Sequence, residues 1–209
     1  MEDMTKESKN EILFFLSSER LESYGIDFEE QLENYKHNIA LCKSLYTSLC
    51  YFEICFRNAI DSVLTLYCNG EEWFDRLPLN IESKRKIMDA KTVIHSKNHP
   101  VTHDRIVSEL SLGFWTALFS KKYAQCAFQG YMIAQVFKNC PKSKRSIKNI
   151  QKSVDEIREL RNRICHYERI SHFPNLQMRH DNLLECIKFI STEIYSLALS
   201  SDTFSEVVK

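Results

Sequence analysis

Between Leu32 and Tyr67 the apolar residues recur at alternating steps of three and four. They run Leu32, Tyr35, Ile39, Cys42, Tyr46, Leu49, then Glu53, then Phe56, Ile60, Val63 and Tyr67. That is the period of one helix face, kept for about ten turns. Asp27 is the expected N-cap, and Asn69 followed by Gly70 is a strong stop. A chain organised around so long a helix must pack other helices along it. The scarcity of punctuation agrees, since the whole sequence has four Gly and four Pro. The expected fold class is all-α, a helical bundle of about six to eight helices.

The remaining segments fit that plan. Residues 8–20 read as a short amphipathic helix ended near Gly25, and a helix from about Glu82 to Lys97 is stopped by Pro100. Thr102 is placed to cap the next one. "SELSLGFWTALFSKKY" reads as buried helix broken near Gly113, and residues 123–137 continue it. From Lys144 a stripe runs Ile147, Ile150, Val154, Ile157, Arg161, Ile164. A last helix carries Leu183, Ile187, Ile190, Ile194 and Leu197. The expected organisation is a single domain over 1–209. It comprises an N-terminal helical elaboration (1–26), the bundle (27–200) and a fraying tail (201–209).

Formal net charge is zero, so no global basicity points to a polyanion. The distribution is uneven. Residues 1–35 carry ten acids, Glu2 and Asp3 among them, against Lys6, Lys9 and Arg20. Residues 138–163 carry nine bases against Asp155, Glu156 and Glu159. Eight cysteines form no CxxC pair, and no leader is read at the N-terminus. They are expected to be reduced, mostly buried thiols of a cytoplasmic protein. No apolar run is read as approaching the roughly 20 residues that cross a bilayer, so no membrane is expected as a partner.

One stretch departs from clean helical patterning: "ELRNRICHYE", residues 159–168. Arg161 follows Ile157 by four and precedes Ile164 by three, so it occupies a core-facing slot where an unpaired charge costs several kcal/mol, roughly. Asn162 and His166 are four apart, on one helix face, where the amide can fix the imidazole tautomer. Arg161 and His166 are five apart, about 140° around a regular helix. One straight copy therefore makes no compact pocket; a bend of the helix at this point, or a second copy facing it across a two-fold axis, would make one.

These residues resemble the RX4-6H motif of the HEPN superfamily, with the polar residue directly after the arginine. More closely, "YFEICFRNAI", "ELSLGFWTALFSKKY" and "IRELRNRICHYERI" together resemble the Abi-like (AbiD/AbiF) abortive-infection proteins. The similarity spans most of residues 40–170. It implies an α-helical HEPN domain acting as a metal-independent ribonuclease, usually dimeric, with the two motifs meeting at the interface. Carried over residue by residue, Arg161 takes the motif arginine, Asn162 the polar follower and His166 the histidine. Relatives often have a second histidine and a proline after the motif, where this chain has Tyr167 and Arg169.

The chemistry suits those residue types. RNA supplies its own nucleophile in the 2′-OH. A histidine can move protons near neutral pH, and a guanidinium matches two phosphate oxygens. The expected catalytic residues are Arg161, Asn162 and His166. RNA-binding residues are Lys144, Arg145, Lys148, Lys152, Arg158 and Arg163. Glu53, Arg57, Tyr167 and Glu168 have supporting or structural roles, Glu53 and Arg57 as an i,i+4 ion pair. No cofactor or metal is expected: His95, His99 and His103 are spaced by four, but Pro100 breaks the helix between them. Expected partners are RNA, a second copy of the chain, and an antitoxin of unknown kind. The alternatives are a non-catalytic RNA-binding HEPN protein held in a ribonucleoprotein with a small RNA, and a helical scaffold whose motif serves dimerisation.

Overall fold

The computed structural model describes residues 4–70 and 72–208; Glu2 and Asp3 of the acidic segment and Lys209 of the tail lie outside them. Among the described residues there is no strand. The α-helices are α1 (Lys6–Leu16), α2 (Ser18–Glu22), α3 (Phe28–Tyr67), α4 (Trp73–Arg76), α5 (Ile81–Ser96) and α6 (His103–Glu109). They continue as α7 (Leu112–Ala117), α8 (Ala127–Val136), α9 (Ile147–Cys165), α10 (Leu176–Ile190), α11 (Thr192–Ser200) and α12 (Phe204–Val207). The expected all-α bundle is what forms, but the described residues divide into twelve α-helices rather than six to eight, because short helices such as α4 and α12 occupy stretches read as connections or tail.

Helix α3 is the spine. Its 40 residues span about 60 Å at 1.5 Å per residue. The Asp27 carboxylate caps it by accepting from the Glu30 amide at 3.0 Å, as the sequence indicated. Helices α8, α10, α11 and α12 lie along it, and α9 is held between α10, α7 and α3. The core is aromatic at its centre: Phe56 stacks on Phe52 at 5.0 Å and on Phe119 at 5.4 Å, with Phe137 at 6.2 Å.

The face that α3 buries is not the stripe read from the sequence throughout. Leu32, Leu49, Phe56 and Ile60 point inward, but between Leu32 and Leu49 the inward apolar residues are Leu41 and Leu45. Ile39 and Tyr46 are 45% and 54% exposed. Two apolar faces share this part of the helix, and periodicity alone cannot say which one is covered. The reading that no apolar run approaches bilayer length also needs correcting. An 18-residue window of α3 has mean hydropathy 1.3, long and apolar enough by composition to cross a bilayer. Leu45, Leu49, Phe52 and Phe56, which lend it that character, are enclosed by the bundle.

Two further differences concern the C-terminus. The last helix is two, α10 and α11, broken at Ser191, whose hydroxyl caps α11 by accepting from the Ile194 amide at 3.2 Å. Leu197 consequently faces outward. The tail, expected to fray from 201, instead turns back as α12. Phe204 is fully buried and stacks on His180 at 4.3 Å, and His180 Nε2 bonds Asp202. All eight cysteines are free, but only Cys140 and Cys186 are buried and Cys50 is exposed, fewer inside than expected.

His103 joins the far end of α3 to α6. Its Nε2 lies 2.8 Å from Asp61 and its Nδ1 2.7 Å from Glu72, while the Trp73 indole also donates to Asp61 at 2.8 Å. Both ring nitrogens meet carboxylates, so only the imidazolium satisfies both. Burial pulls the His103 pKa down, but the hydrogen bond to Glu72 and the charge of Asp61 outweigh it and leave it raised. A raised folded-state pKa gives stability that is complete below the unfolded value of about 6.5. That stability is lost as pH rises through the folded value. The urea midpoint is expected to fall over that upward interval, and His103→Gln to flatten the dependence. An unchanged pH profile in the variant would remove His103 as its source.

Candidate functional site

Helix α9 begins at Ser146, whose hydroxyl accepts from the Asn149 amide at 3.2 Å. Its inward face is Ile150, Val154, Ile157, Leu160 and Ile164. Arg161 therefore stands one step off the core stripe. Leu160 fills the slot that spacing assigned to the arginine, and Arg161 lies at the flank with its side chain 32% exposed. Its guanidinium reaches α3 and forms a two-pronged pair with Glu53. Nε donates to one carboxylate oxygen at 3.1 Å and Nη2 to the other at 3.3 Å. Burial lowers the Arg161 pKa, and the Glu53 carboxylate more than restores it. The lone charge on the α3 stripe and the arginine of α9 thus explain each other across 108 residues of chain. Arg57, the partner expected for Glu53, instead donates to Asn58 at 3.1 Å.

His166 is the C-cap of α9. Its own amide donates to the Asn162 carbonyl at 2.9 Å, and its side chain is exposed. Among the described residues neither the Asn162 amide group nor the His166 ring has a side-chain hydrogen bond, so the expected tautomer-fixing contact is not made. Beyond His166 the chain reverses through a Schellman turn. The Tyr167 amide bonds to Ile164 O at 3.1 Å and the Glu168 amide to Arg163 O at 2.9 Å. This places Tyr167 at φ +59°, in the left-handed region where glycine is the usual residue.

The turn is anchored from three directions. The Asn38 side chain on α3 is 1% exposed, and its carbonyl accepts from the amides of Ile170 and Ser171 at 2.8 and 3.1 Å. Arg20 of α2 donates to the Tyr167 carbonyl at 2.9 Å. Arg169 donates to the Ser23 carbonyl and lies over the Tyr24 ring at 5.1 Å. The N-terminal helices, read from the sequence as an elaboration, thus wall the motif's end. Asn38 and Arg20 were not singled out from sequence. Asn38 neighbours Ile39 on the misphased stretch of α3, and Arg20 is one base in an acid-rich segment.

The basic segment is less basic in space than in sequence. Lys144 pairs with Glu185 at 2.7 Å, Lys152 approaches Glu156 at 3.8 Å and Arg158 approaches Asp155 at 3.5 Å. Arg163 is shared between Glu168 at 3.1 Å and Glu159 at 3.6 Å. Arg145 donates to the Ala134 carbonyl at 3.3 Å, and Lys148 is exposed. Most of these cations therefore face the solvent already matched by a carboxylate.

No family profile, curated protein or solved structure matches the chain.

Beside Arg161 the open side of α3 carries an apolar groove of about 740 Å³, lined by Tyr46, Cys50, Tyr51, Ile54, Cys55 and Ile194. Ile54 is 53% exposed, and Tyr46 lies within electrostatic range of Cys50, Cys165 and Arg161. An apolar patch thus adjoins the Arg161 to Glu53 pair. Among the described residues no cluster of three or more His, Cys, Asp or Glu side chains is arranged to hold a metal ion.

Proposed function

We propose that the chain is a HEPN-type, metal-independent endoribonuclease of the Abi-like (AbiD/AbiF) kind, a toxin-like effector of phage defence that acts in the cytoplasm as a homodimer. The observation that carries this reading is the position of the motif: Arg161 and the exposed His166 stand at the end of α9, and Arg161 is within electrostatic range of Tyr46, which lines the uncovered apolar groove of α3. In this reading His166 moves protons between the 2′-OH, the phosphate and the leaving 5′-oxygen. Arg161 supplies positive charge to the crowded phosphate as Glu53 yields its place. Asn162 orients the reacting groups. The second copy covers Tyr46 and Ile54 and brings its own motif to the same place.

Dimerisation gives this reading a direct test. Ile54→Asp puts a charge into the proposed interface, where burying it without a partner costs several kcal/mol, roughly. Sedimentation is expected to shift from dimer to monomer, and cleavage to fall at least about tenfold at the same protein concentration. A parent protein that is monomeric and fully active contradicts the shared site.

One observation favours a second reading. Arg161 is already doubly bonded to Glu53, and a guanidinium so held is less available to a transition state. That suits a non-catalytic RNA-binding HEPN protein in a ribonucleoprotein with a small RNA. Incubating purified protein with labelled RNA in excess EDTA separates the two: fragments support the enzyme, and retention of intact RNA supports the binder.

A further inference from the structure

At the motif's end, α2 and the chain after α9 enclose an open depression of about 560 Å³, lined by Arg20, Tyr24, Arg163, Tyr167, Arg169 and His172 together with the carboxylates Glu19 and Glu168. Its cations are not alike. Arg163 is neutralised by Glu168 and Glu159. Arg20 donates to the Tyr167 carbonyl, and Arg169 to the Ser23 carbonyl and the Ser171 hydroxyl. Neutral acceptors fix a guanidinium's direction but cancel none of its charge. Two oriented cations therefore stand in one wall with no carboxylate bonded to either among the described residues.

Tyr167 is the second observation. It occupies a left-handed position that disfavours a side chain, yet it is 73% exposed and its hydroxyl has no hydrogen bond among the described residues. The fold gains little from a tyrosine there, and glycine or asparagine would meet the turn's demand with less strain. Strain without a structural return, one residue from His166, points to use by a ligand.

We propose that this depression is the subsite for the RNA strand next to the scissile phosphate. The Tyr167 ring stacks on an unpaired nucleobase, while Arg20 and Arg169 hold a backbone phosphate of the same strand. The proposal rests on the ribonuclease reading and assigns a role to the N-terminal helices, which carry Arg20 and lock Arg169 in place. Aromatic stacking tolerates any base and the arginines touch only backbone, so the subsite selects single-stranded RNA without reading its sequence.

The test uses the full chain and a fluorescent single-stranded RNA with 2′-O-methyl groups throughout, which binds but offers no nucleophile. Tyr167→Asn is expected to raise the urea midpoint yet weaken binding about five- to hundredfold, the range for losing one stacked base. Arg20→Gln is expected to lower the slope of log affinity against log salt by about 0.7, one phosphate contact on a single strand. The proposal is overturned if the parent binds this RNA while both variants keep its affinity and salt slope. A parent that binds the methylated RNA but cuts no unmodified RNA leaves the variants to decide the subsite and removes only the catalytic reading. A parent that neither binds nor cuts overturns both.

Discussion

Replacing His166 with alanine is expected to lower the rate of RNA cleavage by about 10²–10⁴, the usual contribution of a positioned proton-transfer group. Stability and RNA affinity should hardly change. The imidazole is exposed and makes no side-chain hydrogen bond among the described residues. The helix-capping bond at this position is made by the backbone amide, which alanine keeps. Surface changes of this kind stay within about 0.5 kcal/mol, and binding of a polyanion is spread over many phosphate contacts. His166 is a cleaner probe than Arg161, because removing the arginine also leaves Glu53 without its partner. An alanine variant that cuts at the parental rate takes His166 out of the mechanism.

The largest effect on stability is expected from Phe56→Ala. The ring is fully buried between Phe52, Phe119 and Phe137, where three stretches of chain meet. Truncating such a ring forfeits its transfer free energy and leaves a cavity, about 3–5 kcal/mol together. Against a total of about 5–15 kcal/mol that is a fifth or more of the stability, and the urea midpoint should drop by on the order of 1–2 M. Phe56 is also three residues from Glu53, so loosening α3 there should disturb the Arg161 pair. A midpoint change below about 0.5 M would show that the aromatic cluster is not the centre of the core. Leu66→Ala, on the same helix but 67% exposed and outside the proposed interface, is the matched control.

Much of this arrangement is written locally. Asp27, Asn69 and Gly70 bound α3 because caps and stops act through their own backbone neighbours, and Ile150, Val154, Ile157 and Ile164 mark the inward side of α9 because the helical period is short-ranged. What escaped the sequence depends on distant chain. Arg161 looked buried since Ile157 and Ile164 bracket it, yet Leu160 is the inward residue and the arginine is drawn aside by Glu53 on another helix. Ile39 and Tyr46 match the period as well as Leu41 and Leu45 do; only the placement of α10 and its neighbours decides between the faces. The tail appeared free because nothing near it announces that His180 will receive Phe204 and Asp202. Asn38, whose carbonyl holds the turn after the motif, carries no local sign of its partner.

The central claim is that the chain cuts RNA with the RNA's own 2′-hydroxyl, through His166 and Arg161 and without a metal ion. Mass spectrometry of fragments made in excess EDTA tests it most directly. The predicted products end in a 2′,3′-cyclic phosphate and begin with a 5′-hydroxyl, and a 2′-deoxy nucleotide on the 5′ side of the cut abolishes that cut. Fragments bearing a 5′-phosphate and a 3′-hydroxyl, or cleavage that EDTA stops, would contradict it.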